Sequence, residues 1–264
     1  MKKTILITGA GTPNGFGYGT AIGLGKDHHV IASVHTDEEK TQLEKNAKDL
    51  NLDIEVIKID ITQEDDLQKI DDFSIDILVN NAGIGETGPV IDQPFECYKK
   101  TFETNVFGTF KITQKVLRQM VSNKKTGKIV FVSSNAGIQG LPNLSSYTGS
   151  KHALEALASS LKKEMNKYGI KVCVINPGPY STGFNEQIMN TAKNWYDPSQ
   201  SYVNEEDYHY YDDILKNQQA DPKEMIDEMI RIIPLEHHSY RTFLPQQVAK
   251  DVKQEQSEVW NEKI

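Results

Sequence analysis

The sequence predicts an α/β fold: a doubly wound, Rossmann-like parallel sheet of about seven strands with helices on both faces. Three features of the chain point there. Short apolar runs alternate with longer amphipathic stretches, a glycine-rich turn follows the first run, and small or polar residues close later runs. Strand-like runs fall at 4–8, 30–34, 54–59, 75–80, 128–133, 171–176 and 241–244. Helical stretches lie near 15–26, 37–50, 62–71, 94–122, 146–168 and 222–233. Such alternation implies right-handed crossovers and a sheet covered on both sides, with ligands at the carboxyl ends of the strands. The 264 residues are expected to form one domain, with an insertion over the site at about 177–220, where the rhythm breaks.

Composition narrows the function classes. A net charge of −8 and a pI near 5.4 argue against nucleic acid or an anionic membrane as a partner. Cys97 and Cys173 are far apart, and the second lies in an apolar run, which suits packing in a reducing compartment better than a disulfide. The opening MKKTILITGAG breaks its apolar run at Thr8 and Gly9 and reads as a strand rather than a leader. No apolar stretch approaches the ~18 to 20 residues of a membrane helix, so a soluble, cytoplasmic protein is expected. The pairs His28-His29 and His237-His238 lack acidic or cysteine partners at ligand spacing, and no metal is expected.

The first run ends in TGAGTPNGFGYG. At a strand-to-helix junction such glycines permit the tight turn and close approach of a pyrophosphate to the helix amides, which nominates Gly9, Gly15, Phe16 and Gly17. The second run ends at Val34 and His35 without an acidic residue, and His35 can donate to a phosphate, so the reading leans to NADP(H) with NAD as the alternative; Asp37 is close by. Asp60 and Ile61 end the third run, where they can cover an adenine. Asn80, Asn81, Ala82 and Gly83 end the fourth, where small side chains let the backbone run close to a cofactor. Asn105, in the helical stretch TFETNVFGTF, is expected to be buried with a role at the site.

Tyr147 and Lys151 form the chain's one Tyr/Lys pair at a spacing of four, which places both on one face of a helix. An ammonium beside a phenol favours the phenolate and brings a group with a pKa near ~10 closer to neutrality. Ser134, thirteen residues before Tyr147, ends an apolar run and can face the same point.

Taken together and in order, these motifs resemble the short-chain dehydrogenase/reductase family, over nearly the whole chain: TGAGTPNGFG, Asp60-Ile61, NNAG at 80–83, Asn105, Ser134, YTGSK at 147–151 and PGPYST at 177–182. The resemblance implies a nicotinamide cofactor and carbonyl or alcohol chemistry. It implies Tyr147 as proton donor or acceptor, and Lys151 as the group that holds the nicotinamide ribose and depresses the phenol pKa. By the same resemblance Ser134 hydrogen-bonds the substrate oxygen and Asn105 anchors a relay water. Asn81, Ala82, Gly83, Pro177, Gly178, Tyr180 and Thr182 match cofactor-lining positions. One departure is the five residues between Gly9 and Gly15, where the family usually has three; we read a two-residue insertion after Gly9 rather than a register starting at Gly11. A longer first loop is similar to that of the enoyl reductase branch, whose Tyr and Lys are more widely spaced.

The expected partner is a small carbonyl or alcohol substrate, and relatives suggest a homodimer or homotetramer through the helices at 94–122 and 146–168. Segment 184–213 carries Phe184, Trp195, Tyr196, Tyr202, Tyr208, Tyr210 and Tyr211, with Glu186, Asp197, Glu205, Glu206, Asp207, Asp212 and Asp213. An aromatic, acidic lid suits a neutral or cationic substrate with apolar surface; the alternative is a loop packed on the domain or a neighbouring subunit. Two rival readings stand beside an oxidoreductase. One is a catalytically silent dinucleotide-binding regulator, against which the intact Ser134, Tyr147 and Lys151 speak. The other is a 3-oxoacyl-carrier-protein-type reductase, which needs a basic docking patch such as Lys162, Lys163 and Lys167.

Overall fold

Residues 4–7 alternate their side chains across a sheet with two apolar faces. Ile5 and Ile7 enter one core with Val30, Ala32, Val79 and Val130, while Leu6 enters the other with Ile31, Leu78, Ile129 and Phe131. Each of these side chains larger than alanine contributes about 1.5–3 kcal/mol when fully buried. In the computed structural model, which describes residues 1–209 and 217–263, seven strands form this sheet: β1 (Thr4–Ile7), β2 (His29–Val34), β3 (Ile54–Lys58), β4 (Ile77–Asn80), β5 (Gly127–Val132), β6 (Ile170–Pro177) and β7 (Arg241–Leu244). All neighbours are parallel, in the order β3-β2-β1-β4-β5-β6-β7. Ile5 of β1 stands opposite Val30 of β2 and Ile77 of β4. Tyr210, Tyr211, Asp212 and Asp213 lie outside the described residues.

Helices α1 (Phe16–Leu24), α2 (Asp37–Asp49) and α8 (Pro222–Ile232) cover one face; Leu43 of α2 and Met225 and Met229 of α8 enter its core. The other face is covered by α5 (Thr109–Ser122) and α6 (Ser145–Met165), through Ile112, Val116, Leu154 and Ala158. α2 begins with a capping box, in which Thr36 accepts from the Glu39 amide and the Glu39 side chain reaches back to Thr36. At the amino end of the sheet, the buried Lys128 donates to the Ile233 carbonyl (2.9 Å) and to Nε2 of His238 (2.9 Å), so a cation caps the end of α8. Burial pulls its pKa down from the usual lysine range.

Three departures from the expected elements bear on the site. The helix expected over 94–122 is broken: α4 (Phe95–Phe102) passes into a π-helical segment, Glu103–Gly108, before α5. The stretch at 62–71 is shorter, with α3 at Glu64–Leu67 and a 3₁₀ turn after it. Two helices, α7 (Phe184–Asn190) and α9 (Gln246–Val259), form where no helix was expected. α9 has a polar sequence with only Ala249 and Val252 buried, which leaves a weak apolar stripe to read.

Candidate active site

The strand order reverses between β1 and β4, so the connections leaving these strands diverge and open a crevice. A cavity of about 1020 Å³ lies there, bounded by the strand ends, α6, α7 and α9.

Its floor is built from main chain. Gly9 has φ +66°, and a Cβ on it would stand 2.7 Å from Cα of Ala82. A Cβ on Gly17 would collide with Nδ2 of Asn81 and the carbonyl of Gly9. The Thr8 hydroxyl accepts from the amides of Asn81 and Ala82 (both 3.0 Å), and Asn81 Nδ2 donates to the carbonyls of Thr8 and Gly9 (both 2.9 Å). These bonds tie the glycine turn to the NNAG turn. Gly15 is the N-cap of α1, with no side-chain cap and no acidic residue in the first turn, so the first amides of α1 remain available to an anion. A glycine cradle that Cβ atoms would fill, beside an uncapped helix start, fits a pyrophosphate.

Val34, His35, Asp60 and Ile61 line the same cavity. His35 is exposed, and the Asp60 carboxylate accepts from the amide and hydroxyl of Thr62 (2.9 and 2.8 Å). The sequence reading missed Glu39. Its Oε2 accepts from the amides of His35 (2.8 Å) and Thr36 (3.1 Å), and its carboxylate fills the space where a Gly11 side chain would be. The signal was present as Thr36 with Glu39 three residues on, a capping box that turns the carboxylate back to the end of β2.

Tyr147 and Lys151 lie in the first turns of α6 and Ser134 just past β5; all three are buried and line the cavity. The Lys151 ammonium is 5.6 Å from the Tyr147 ring centre and donates to the Val132 carbonyl (3.0 Å). Burial pushes the Tyr147 phenol up to about 12, against a downward pull from the Ser134 hydroxyl, and drives Lys151 down to about 8, where Glu155 opposes the fall. Against the expectation that Lys151 acidifies the phenol, burial is the larger influence in the protein alone, and the downward pull comes from the Ser134 hydroxyl.

Asn105 is fully buried in the π segment. Its Oδ1 accepts from the Ile84 amide (2.8 Å), and Nδ2 donates to the Ile84 carbonyl (2.8 Å) and the Ser150 hydroxyl (2.9 Å). Both side-chain N–H groups are committed, so the amide acts as a strut between the NNAG turn and α6. Pro177 ends β6, and Pro177, Gly178, Tyr180 and Thr182 line the cavity. The Tyr180 hydroxyl is turned away to Glu224 (2.8 Å), and its ring meets the edge of Phe16.

Beyond Tyr147 the walls become apolar, with Leu141, Leu144, Phe184, Ile188 and Met189; Phe184 lies 5.8 Å from the Tyr147 ring, centre to centre. Asp251 and Glu255 of α9 line the outer edge. Trp195, Tyr196 and Tyr208 instead pack on one another, and Trp195 covers Gly88. Of the described aromatic residues in 184–209, only Phe184 lines the cavity. The described acidic residues of that segment are not in the lining either, so the acidic edge comes from α9.

The match to known proteins agrees with this geometry. A family model described as short chain dehydrogenase matches residues 3–193. The chain belongs to the short-chain dehydrogenase family. An oxidoreductase of Bacillus subtilis strain 168, YusZ, is 34% identical over 89% of this chain and 86% of its own. The 3-ketodihydrosphingosine reductase of Bacteroides thetaiotaomicron is 32% identical over 70% of this chain and 67% of its own. Among solved structures, an NAD⁺-bound xylitol dehydrogenase is 25% identical, with a TM-score of 0.77 over 92% of this chain and 97% of that one. This short-chain dehydrogenase is an NAD(P)-dependent oxidoreductase that transfers a hydride between a nicotinamide and a carbonyl or alcohol carbon. Among its described residues no helix is long and apolar enough to cross a membrane.

Proposed function

We propose that this enzyme reduces carbonyl compounds with an apolar body, and that Tyr147 delivers the proton. The observation that carries the reading is the convergence of Ser134, Tyr147 and Lys151 on one wall of the cavity that the glycine turn opens into. A bound nicotinamide dinucleotide supplies the hydride; Gly9, Gly15, Gly17, Phe16, Asn81, Ala82, Gly83, Pro177, Gly178 and Thr182 are the residues that would hold it. Lys151 would hold the ribose of the nicotinamide half. Ser134 and Tyr147 aim hydroxyls at the oxygen on which negative charge builds, and so stabilise the transition state more than the ground state. A phenol raised to about 12 is protonated at neutral pH, which suits reduction. Asn105 acts as a strut that keeps this wall in place.

For the cofactor, Glu39 supports a preference opposite to the one the sequence suggested. At the end of β2 the cavity is lined by Glu39, Asp60 and the exposed His35, with no lysine or arginine from β2, α2 or the turn after β3. A carboxylate there accepts from a free ribose diol and repels a 2′-phosphate. We therefore favour NAD(H) over NADP(H). The apolar walls and the acidic edge suit a neutral or cationic ketone better than an anionic carrier-bound acyl chain, and Thr182, Phe184 and Ile188 form the lid. Phe107, Phe110 and Tyr168 are exposed on the helices expected to mediate self-association, which supports a homodimer or homotetramer, checked by light scattering.

Tyr147→Phe tests the assignment. We expect turnover of a ketone panel to fall by about 10²–10⁴-fold, with dinucleotide affinity changed less than threefold by fluorescence titration. Full activity in that variant would remove Tyr147 from the chemistry.

A further inference from the structure

Behind Ser134, on the side away from the cavity, three polar side chains from three elements close on one another. Arg241 of β7 grips Glu155 of α6 with both arms of its guanidinium, 3.0 Å to Oε1 and 2.8 Å to Oε2. The same Arg241 donates to Oδ1 of Asn176 on β6 (2.6 Å). Asn176 Nδ2 then donates to Oε1 of Glu155 (2.6 Å) and to the main-chain carbonyl of Ser134 (2.9 Å). Asn176 is fully buried and the Glu155 side chain 12% exposed, while Arg241, 35% exposed, closes the cluster from its outer side. Each of the three residues touches the other two, and the cluster's bond toward the active site ends on Ser134.

Glu155 also lies one helical turn beyond Lys151, on the same face of α6. Gly137 permits the close approach: a Cβ there would stand 3.1 Å from the Lys151 carbonyl and 3.2 Å from Cγ of Glu155. We propose that Glu155, clamped by Arg241 and Asn176, is a positioning residue of this active site, which fixes the main chain of Ser134 and supplies the countercharge behind Lys151. This rests on the assignment of Ser134, Tyr147 and Lys151 given above.

The groups that face Lys151 define what the clamp acts on. Tyr147 comes from its own helix, the Val132 carbonyl from β5 and Gly83 from the opposite wall; Glu155, four residues on, pairs with Arg241 and reaches Lys151 through its charge. Arg241 stands across Glu155, with the Tyr240 ring 6.0 Å from the guanidinium carbon. Burial alone favours the neutral amine, and Glu155 is the charge that works against it. A charged Lys151 is needed for reduction, so kcat/KM falls as pH rises through its pKa. Without the Glu155 charge the ammonium is held less well and that limb moves to lower pH. Without the Arg241 charge the Glu155 carboxylate is less neutralised, and the limb moves to higher pH.

The experiment is a pH profile of kcat/KM for ketone reduction by the full chain and by Glu155→Gln, Glu155→Asp and Arg241→Gln, with Tyr147→Phe as control. We expect the alkaline limb to shift down by about one unit in Glu155→Gln, to return most of the way in Glu155→Asp, and to shift up in Arg241→Gln. A residue that only holds the fold would lower the rate at every pH without moving the limb in opposite directions. Should Glu155→Gln not fold, the upward shift in Arg241→Gln decides. Turnover that depends on Tyr147 but has a limb unmoved in these variants overturns this inference alone. An enzyme without carbonyl turnover, or one whose turnover survives Tyr147→Phe, overturns the active-site assignment and this inference together.

Discussion

The two ends of the cavity are made in different ways. The dinucleotide end is main chain and small residues: Gly9, Gly15, Gly17, Ala82 and Gly83, locked by the hydroxyl of Thr8 and the amide of Asn81. The substrate end is side chains from the loop before α6, from α7 and from α9: Leu141, Leu144, Phe184, Ile188, Val248 and Asp251. At the first end shape comes from backbone conformations that few residues allow. At the second it comes from side-chain volume, which many residues can supply. A substitution should therefore damage cofactor binding through backbone strain at one end, and retune substrate choice at the other with the fold intact.

Gly9→Val should have the largest effect. It forces a β-branched residue to φ +66° and drives its Cβ into Cα of Ala82, a main-chain atom that cannot swing aside. We expect dinucleotide affinity by calorimetric titration to fall at least about a hundredfold, about 2.7 kcal/mol, together with a lower Tm. Unchanged affinity would mean that this turn is not the cradle. Phe184→Ala should act on the other end alone. Removing a ring that leans on Tyr147 takes away about 2 kcal/mol of apolar contact, so KM for the best aliphatic or aromatic ketone should rise about thirtyfold. Dinucleotide affinity should stay within twofold of wild type. A parallel loss of both affinities would erase the distinction between the two ends.

The same contrast explains what was legible before coordinates. The alternation of strands and helices and the motifs are local in sequence; Gly9, Asn81 and Ser134 sit at or next to strand ends and Tyr147 and Lys151 open α6, so pattern and topology together place them on one crevice. Side chains assembled from distant segments were not legible. α9 brings Asp251 and Glu255 to the cavity edge, yet its sequence carries only two buried residues to mark its inner face. The aromatic residues between 195 and 208 looked like a lid, but composition does not say which way a ring points: Trp195 packs on Gly88, and Asp92 accepts from the Tyr208 hydroxyl (2.9 Å). Spacing shows that Lys151 is near Tyr147 but not that both are buried, and burial is the first influence on each. Glu39 is not marked by the end of β2 itself: the capping box of the helix that follows folds its third residue back to the same place.

Glu39 also offers the finest test, because it sits in the backbone-built end yet acts through a side chain. Glu39→Gln keeps an oxygen that can accept from the amides of His35 and Thr36, so the cap of α2 should hold and Tm should change little. What is lost is one negative charge at the end of β2. If that charge is what rejects a 2′-phosphate, the ratio of kcat/KM for NADPH to that for NADH should rise about tenfold, equivalent to about 1.4 kcal/mol. The gain should shrink as salt is raised, since this rim faces solvent. A ratio unmoved by the substitution would place discrimination in His35 or Asp60 instead. It would also return the nucleotide end to a site shaped by backbone alone, in which Glu39 serves only to start a helix.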